Sequence, residues 1–129
     1  MGPLLIVDGF NVLHAGVLVG RDRADWWKAA AQQRLIERVE RFTDTTYTDI
    51  WIIFDRRADR QEASAVTSTD ARLAIYYAPS ADDWIVEQVR VLSPQRSVTI
   101  VTADRPLRER ARRVGAALSS PQQFLSACG

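Results

Sequence analysis

The sequence predicts an α/β fold, in which a parallel sheet carries helices on both faces. Short apolar segments of strand length alternate along the chain with segments of helical periodicity, as in consecutive βαβ units. The first apolar segment, residues 4–7, is continuous, which suits a strand buried on both faces of a parallel sheet. Three of the segments end in an aspartate, at Asp8, Asp55 and Asp104. Because open α/β folds bind ligands where their parallel strands end, these carboxylates are expected at one functional edge.

The first half of the chain contains two predicted strands and one predicted helix. The strands are residues 4–7 and 50–54, each a run of large apolar side chains. A loop through Gly16 and Gly20 leads from the first strand to a long helix at 24–42, in which apolar side chains recur at helical spacing. These side chains are Ala31, Leu35, Val39 and Phe42.

The second half begins with a polar segment, residues 56–70, which has no periodicity and is expected to be an exposed loop. Strands and helices then alternate. The predicted strands are residues 73–77, 98–102 and 116–118, of which the last has the weakest pattern. The predicted helices are residues 80–92, residues 106–114 and a terminal helix that begins at residue 121. Pro79, Pro94 and Gly115 stand where these segments end, as proline and glycine commonly do.

Size and composition indicate one domain covering residues 1–129, with no excess of charge to suggest a partner, since the formal net charge is +1. All but one of the 17 Lys and Arg residues are arginine, the exception being Lys28. This skew suits phosphate binding, although a genome-wide bias in composition would produce it as well. The single cysteine, Cys128, excludes an internal disulfide. Without a signal-peptide pattern or an apolar run of about 20 residues, we expect a cytoplasmic protein that does not enter a membrane.

Four aspartates form the candidate site: Asp8, Asp55, Asp82 and Asp104. Clustered carboxylates repel one another unless protons or cations intervene. A ligand set of oxygen atoms alone favours a hard cation, Mg²⁺ or Mn²⁺, and such ions support phosphodiester hydrolysis. Each residue also has a structural interpretation, because an acid after a strand is often a turn residue or, as for Asp104, a helix N-cap. The joint occurrence of the four favours the metal site.

Helical geometry separates Asp82 from its neighbour Asp83. The sequence Ser-Ala-Asp-Asp at residues 80–83 fits a capping box, with Ser80 as the N-cap and Asp83 three positions later. At 100° per residue, Asp82 lies within roughly 60° of the apolar stripe of this helix, whereas Asp83 lies on the opposite side. We therefore expect Asp82 to point inward to the site and Asp83 to cap the helix in solvent.

Four short motifs carry a family resemblance. They read Val-Asp-Gly-Phe-Asn-Val-Leu-His at residues 7–14, Phe-Asp at 54–55, Ser-Ala-Asp-Asp-Trp-Ile at 80–85 and Val-Thr-Ala-Asp-Arg at 101–105. In this order and over residues 4–105, the chain resembles the NYN branch of the PIN-like nucleases, specifically the YacP-like bacterial proteins. Ser80 departs from the family pattern, in which threonine is more usual at that position.

The resemblance implies a PIN-like three-layer sandwich with a parallel sheet of about five strands in the order 3-2-1-4-5. It also implies a divalent-metal-dependent endoribonuclease that uses Mg²⁺ or Mn²⁺. Carried over residue by residue, Asp8, Asp82 and Asp104 are the expected metal ligands. Asn11 would orient Asp8 or hold a water molecule, and Asp55 matches the acid that follows strand 2 in related sequences. These five residues form the predicted catalytic set.

The expected substrate is RNA, either single-stranded or structured, bound by a monomer or a homodimer. Arginines near the carboxylates in sequence are interpreted as contacts to the phosphate backbone, namely Arg56, Arg57, Arg105 and Arg108. His14, just beyond the first strand, could also contact a phosphate, but we interpret it as a packing residue.

Three other functions were compared with the nuclease hypothesis. A PIN-like RNA-binding module with weak or no catalysis remains the alternative, although a pure binder has no need to concentrate acids beside phosphate. A flavodoxin-like phospho-acceptor domain would need a lysine after a late strand, and Lys28 is the only lysine. A haloacid-dehalogenase-like phosphatase would need an acid two residues after Asp8, where Phe10 stands. The last two functions are therefore excluded.

Overall fold

The computed structural model describes residues 1–55, 68 and 70–129. Within them the chain forms a five-stranded parallel sheet in the order β3-β2-β1-β4-β5, which confirms the predicted fold class and strand order. The strands are β1 (Leu4–Asp8), β2 (Asp49–Asp55), β3 (Leu73–Ala78), β4 (Val98–Val101) and β5 (Ala117–Ser119). Most of the predicted loop at 56–70 lies outside the described residues.

Five α-helices connect or follow the strands in the residues that the structure describes. They are α1 (Gly9–Val12), α2 (Ala29–Val39), α3 (Ala81–Leu92), α4 (Arg105–Arg113) and α5 (Pro121–Ala127). A π-helical turn at Leu13–Val17 continues α1, and a 3₁₀-helix at Gly20–Asp25 precedes α2. In the described part of the chain, no helix is both long enough and apolar enough to cross a membrane.

Two predictions for the segment after β1 were wrong. Helix α1 begins immediately at Gly9, where a loop was expected, because the half-buried Phe10 and the buried Val12 fold back against the sheet. The helix predicted at 24–42 begins only at Ala29, since Lys28 is extended with φ −76° and ψ 152°. Trp26, just before it, instead packs its ring edge-on against Phe10, with the ring centroids 4.6 Å apart. Tertiary packing of aromatic side chains thus replaces the first turns of the predicted helix.

The sheet separates two apolar cores, which gives the expected three layers. On one face, the π-helical turn and helices α1, α2 and α5 pack around Leu35, Ile36 and Phe124. On the other face, α3 and α4 pack through Ile85 and Leu107. Alternate residues of β1 belong to different cores, so this central strand is buried on both sides, as its continuous apolar sequence predicts.

The register places the ends of three strands side by side. Asp8 at the end of β1 pairs with Ile53 of β2, and Val7 pairs with Val101, the last residue of β4. Gly9 is required at this crowded point, because a Cβ atom there would lie 2.5 Å from the ring of Phe54 and 2.8 Å from the carbonyl oxygen of Ile53. The chain therefore turns directly from β1 into α1 at the edge where the carboxylates gather.

Candidate active site

A pocket of about 590 Å³ lies at the carboxyl edge of the sheet. All four predicted carboxylates line it, contributed by the ends of β1 and β2, the start of α3 and the N-cap of α4. Its lining consists of Asp8, Asp55, Asp82, Asp104, Phe10, Asn11, His14, Pro79 and Ser80. The structure thus brings together residues that lie up to 96 positions apart in the sequence, as the motifs predicted.

Asp8 is held in place by Thr102, a residue that the sequence interpretation missed. The hydroxyl of Thr102 donates to Asp8 Oδ2 at 2.8 Å and accepts from the backbone N–H of Asp104 at 3.2 Å. Thr102 is completely buried, so these bonds form away from solvent. The available signal was its position directly after a four-residue buried strand and two residues before Asp104. Thr102 is therefore a positioning residue that links two of the candidate ligands.

Asp104 acts as the predicted helix cap while it lines the pocket. Its Oδ1 atom accepts a hydrogen bond of 3.3 Å from the N–H of Leu107, in the first turn of α4. Asn11 fixes the adjoining turn, because its side-chain oxygen accepts from the N–H of Ala103 at 2.8 Å. The structure thus shows Asn11 orienting the turn before Asp104. Its role in orienting Asp8 or holding a water molecule stays a prediction.

Asp55 connects the end of β2 to the start of α3. Its Oδ1 atom accepts a hydrogen bond of 2.7 Å from the N–H of Ala81, the first residue of that helix. Backbone N–H groups in a first helical turn lack partners within the helix, so this contact satisfies one of them. Asp55 is itself exposed, and its contact fixes where α3 begins and hence where Asp82 lies.

The predicted directions of the Asp82 and Asp83 side chains are confirmed, whereas the cap at the start of α3 is made by the side chain of Ser80 and not by the carboxylate of Asp83. Asp82 is half-buried and lines the pocket, whereas the Asp83 side chain is 71% exposed. Ser80 caps α3 by accepting from the N–H of Asp83 at 3.2 Å. The carboxylate of Asp83 accepts from Arg110 at 2.9 Å, so it tethers α3 to α4. The helical phase inferred from the apolar stripe was therefore correct.

Burial and mutual repulsion raise the pKa values of the two innermost acids. The pKa of Asp8 rises to about 7, chiefly because burial disfavours its charge, with smaller contributions from Asp82, Asp55 and Asp104. The Thr102 hydrogen bond acts in the opposite direction. Burial, followed by the charges of Asp104 and Asp55, also raises the pKa of Asp82. The pocket therefore concentrates negative charge that only a proton or a cation can neutralise.

The four predicted phosphate-binding arginines have different outcomes. Arg105, the first residue of α4, is exposed beside the pocket residue Asp104. Arg108 instead donates to the backbone carbonyls of Thr102 at 2.8 Å and Ser119 at 3.4 Å, so it joins α4 to the ends of β4 and β5. These contacts give Arg108 a structural role, and its contact with phosphate stays a prediction. Arg56 and Arg57 lie outside the described residues.

His14 both packs and lines the pocket. Its ring centroid lies 5.9 Å from that of Trp26, in agreement with the predicted packing role. Burial, followed by the nearby charge of Arg23, lowers the pKa of His14 below its usual value. His14 is thus a titratable group that lines the acidic pocket and whose charged form its surroundings disfavour.

The side-chain positions show no finished coordination sphere. Among residues 1–55, 68 and 70–129, no group of three or more His, Cys, Asp or Glu side chains lies close enough together to hold a metal ion. The donor chemistry is nevertheless uniform, since the acids that line the pocket offer carboxylate oxygens alone, the type that Mg²⁺ and Mn²⁺ prefer. The residues are therefore of the chemical type that binds a hard divalent cation.

Fold and sequence comparison together define an α/β domain of the nuclease type. The chain belongs to the YacP-like NYN domain family, whose pattern it matches over residues 5–128. The fold is also similar to that of Rae1 (YacP) from Bacillus subtilis, with a TM-score of 0.75 and 20% identity over 97% of this chain and 72% of that one. For a mutant of Rae1, the TM-score is 0.67, with 19% identity over 97% of this chain and 73% of the other. The comparison with curated proteins gave no match.

Proposed function

We propose that this chain is an endoribonuclease that hydrolyses RNA phosphodiester bonds with the help of Mg²⁺ or Mn²⁺. The observation that carries the proposal is the pocket in which Asp8, Asp55, Asp82 and Asp104 converge, with Asp8 buried and its pKa raised to about 7. Acids crowded in this way destabilise a protein unless a positively charged ligand compensates for them. Membership of a nuclease-type family supports the assignment of that ligand to phosphodiester chemistry.

The hydrogen bonds around the pocket support metal binding. Asp8, Asp55 and Asp104 are each anchored through one carboxylate oxygen, by Thr102, Ala81 and Leu107 respectively. Each anchor fixes the side chain and leaves a second oxygen for a ligand. Such anchoring contacts orient metal-binding carboxylates and are costly to remove.

In this proposal, Asp8, Asp82 and Asp104 would hold the ion, and Asp55 would act by positioning α3. A bound divalent cation supplies two effects, polarisation of a phosphoryl oxygen and a lower pKa for its water. The chain itself supplies alignment: Thr102 orients Asp8, and Asn11 fixes the turn before Asp104. Arg105, exposed at the start of α4, would contact a neighbouring phosphate.

One observation favours the alternative, an RNA-binding module with weak or no catalysis. Within the described residues, the acids are not drawn together as a formed metal site would be. The two functions differ in what metal should do. A nuclease should bind Mn²⁺ and lose activity without it, whereas a binding module should bind RNA equally well with and without the ion.

The decisive experiment is a cleavage assay on a panel of single-stranded and structured RNAs. The wild-type protein should cleave with Mg²⁺ or Mn²⁺ and stop with EDTA, and Asp8→Asn should lose several orders of magnitude in rate. Arg112→Gln, an exposed change in the last turn of α4, is the matched control and should keep full activity. Normal cleavage by repurified Asp8→Asn, or no cleavage by the wild type with either metal, would refute the proposal.

A further inference from the structure

A second concave surface lies on the α2 side of the sheet, and nothing in the proposed chemistry uses it. We call it the arginine groove; it has a volume of about 220 Å³ and is lined by Val17, Arg34, Glu37, Arg38 and Arg41. Three arginines therefore face one glutamate. Arg34 and Arg38 lie in α2, and Arg41 lies two residues beyond its end. Their positions, i, i+4 and i+7, place them along one side of the helix and the turn that follows it.

Backbone contacts hold two of these guanidinium groups in place. Arg34 donates to the carbonyl of Val17 at 3.1 Å and also contacts Asp22 at 3.2 Å. Arg38 donates to the carbonyl of Leu125 in α5 at 3.4 Å. Both side chains have thus lost much of their rotamer freedom before any ligand arrives, which lowers the entropic cost of binding an anion.

Arg38 also contains a donor without an acceptor. Its Nε–H group is buried, and no acceptor reaches it from any residue that the structure describes. Buried donors nearly always have partners, because an unpaired one costs about 1–3 kcal/mol. An anion in the groove would meet the guanidinium group of Arg38, which is suited to charge-assisted hydrogen bonds with phosphate.

The groove and the aspartate pocket are joined by the π-helical turn Leu13–Val17. His14 in this turn lines the pocket, and Val17 at its end lines the groove. They are three positions apart in the chain, so their Cα atoms lie at most about 11 Å apart. At a rise of about 3.4 Å per nucleotide, a strand of only a few nucleotides spans that distance.

We propose that the arginine groove binds the phosphate backbone of the RNA whose scissile bond lies in the aspartate pocket. This inference rests on the proposed function for the nature of the ligand. A peptide is a poorer fit, because Val17 is the only apolar side chain among the described lining residues, and peptides gain much of their affinity from apolar anchors. The groove therefore extends the substrate site beyond the reacting phosphate and does not read base sequence.

The test measures RNA binding in EDTA, where cleavage plays no part. The probe is a fluorescein-labelled single-stranded RNA of about 12 nucleotides, titrated at several salt concentrations. Arg34→Gln with Arg41→Gln removes two exposed charges and should lower the log–log salt slope by about 1.4, at about 0.7 per lost phosphate contact. The affinity at 0.1 M salt should fall at least about fivefold.

The matched control is Arg90→Gln with Arg112→Gln, which makes the same charge change on α3 and α4, across the sheet. It should leave slope and affinity unchanged. Arg38→Lys keeps the charge but replaces the planar guanidinium group and its paired N–H donors by an ammonium group, so it should weaken binding several-fold at an unchanged slope. Any of three results would overturn the proposal. These are an unaltered salt slope in the α2 double variant, an equal fall in the slope of the control, and a loss of binding that affects only an acidic peptide probe.

The outcomes also separate this inference from the proposed function. A wild-type protein that binds RNA with the expected slopes but never cleaves it would refute the nuclease and leave the groove standing. Normal cleavage by an α2 double variant with unaltered RNA binding would refute the groove alone. Melting curves of the variants confirm that each one is folded.

Discussion

Asp8 is a carboxylate whose burial beside other acids lowers the stability of the ion-free protein. It is the only buried carboxylate among the described residues, at 7% exposure, and it is placed beside three other acids. A single hydrogen bond, from Thr102, favours its charged form. A buried, strongly perturbed carboxylate in a pocket is more typical of a functional site than of a structural one, which is why the proposed function places Asp8 among the metal ligands.

The first prediction concerns the pH dependence of ion-free stability. The folded pKa of Asp8, about 7, exceeds its ordinary value of 3.8, so the folded protein holds a proton that the unfolded chain releases between those values. The contribution of Asp8 to stability is therefore present below pH 3.8 and lost as the pH rises through 7. Thermal melts in EDTA should show higher stability at pH 5.5 than at pH 8.

Asp8→Asn provides the control for that experiment. The neutral amide should raise the free energy of unfolding at pH 8 by about 1 kcal/mol without metal. It should also flatten the difference between pH 5.5 and pH 8. A variant as pH-sensitive as the wild type would show that another group titrates.

Thr102 gives a second prediction at the residue scale. Thr102→Val keeps the shape of the side chain and removes the hydroxyl that binds Asp8 and the N–H of Asp104. The pKa of Asp8 should rise further, because the bond that favours its charged form is lost. Thr102→Ser retains the hydroxyl and is the control. Carboxyl carbon NMR titrations in EDTA measure the shift, and an identical Asp8 titration in both variants would contradict the assigned role.

A third prediction compares Asp82 with Asp83. Asp82→Asn should abolish cleavage at little cost in stability, since the side chain lines the pocket and its pKa is already raised. Asp83→Asn should keep most of the activity and lose at most about 1 kcal/mol of stability, because it weakens an exposed ion pair with Arg110 and the first turn of α3. One cleavage assay and one melting curve per variant suffice. If Asp83→Asn has no activity, the carboxylates of both Asp82 and Asp83 serve the site.

At the scale of elements, helix α4 contains two arginines with opposite expected roles. Arg108→Gln should lose about 1 kcal/mol of stability, because it loses hydrogen bonds to the carbonyls of Thr102 and Ser119. Its RNA salt slope should not change. Arg105→Gln should keep its stability and lower the slope by about 0.7, the loss of one phosphate contact. Denaturant titrations measure the stabilities, and RNA binding at several salt concentrations measures the slopes. If Arg108→Gln lowers the slope and Arg105→Gln lowers the stability, Arg108 contacts phosphate as the sequence predicted.

The strands could be predicted from sequence better than the first connection. Continuous apolar runs mark β1, β2 and β4 because both faces of these strands are buried, and the aspartates that follow mark the site. The stretch at 9–28 could not be predicted, because its conformation depends on contacts such as Phe10 with Trp26. The contacts of Thr102 with Asp8 and of Asn11 with Ala103 were not predicted, for the same reason. Their partners lie 94 and 92 residues away, and no local pattern encodes them.

At the scale of the whole molecule, binding of the ion should raise the free energy of unfolding. Mn²⁺ that binds only the folded protein should raise the melting temperature, with about 2.7 kcal/mol gained at one hundred times the dissociation constant. Asp104→Asn should lose most of this rise and still fold, since asparagine is as good an N-cap as aspartate. If millimolar Mn²⁺ does not change the wild-type melting temperature, the result counts against the metal site and favours the RNA-binding module.

Helices α3 and α4 both begin at the rim of the aspartate pocket. Each points the positive end of its macrodipole at the crowded acids, a partial charge of about half an elementary charge that arises from the main chain. This field is independent of the side chains, so it persists in every variant discussed above. It lets folding gather the acids at one edge of the sheet before any cation arrives. In the proposed function, a cation would meet acids that the fold has already brought to this edge, and its affinity would not have to cover the cost of folding the chain.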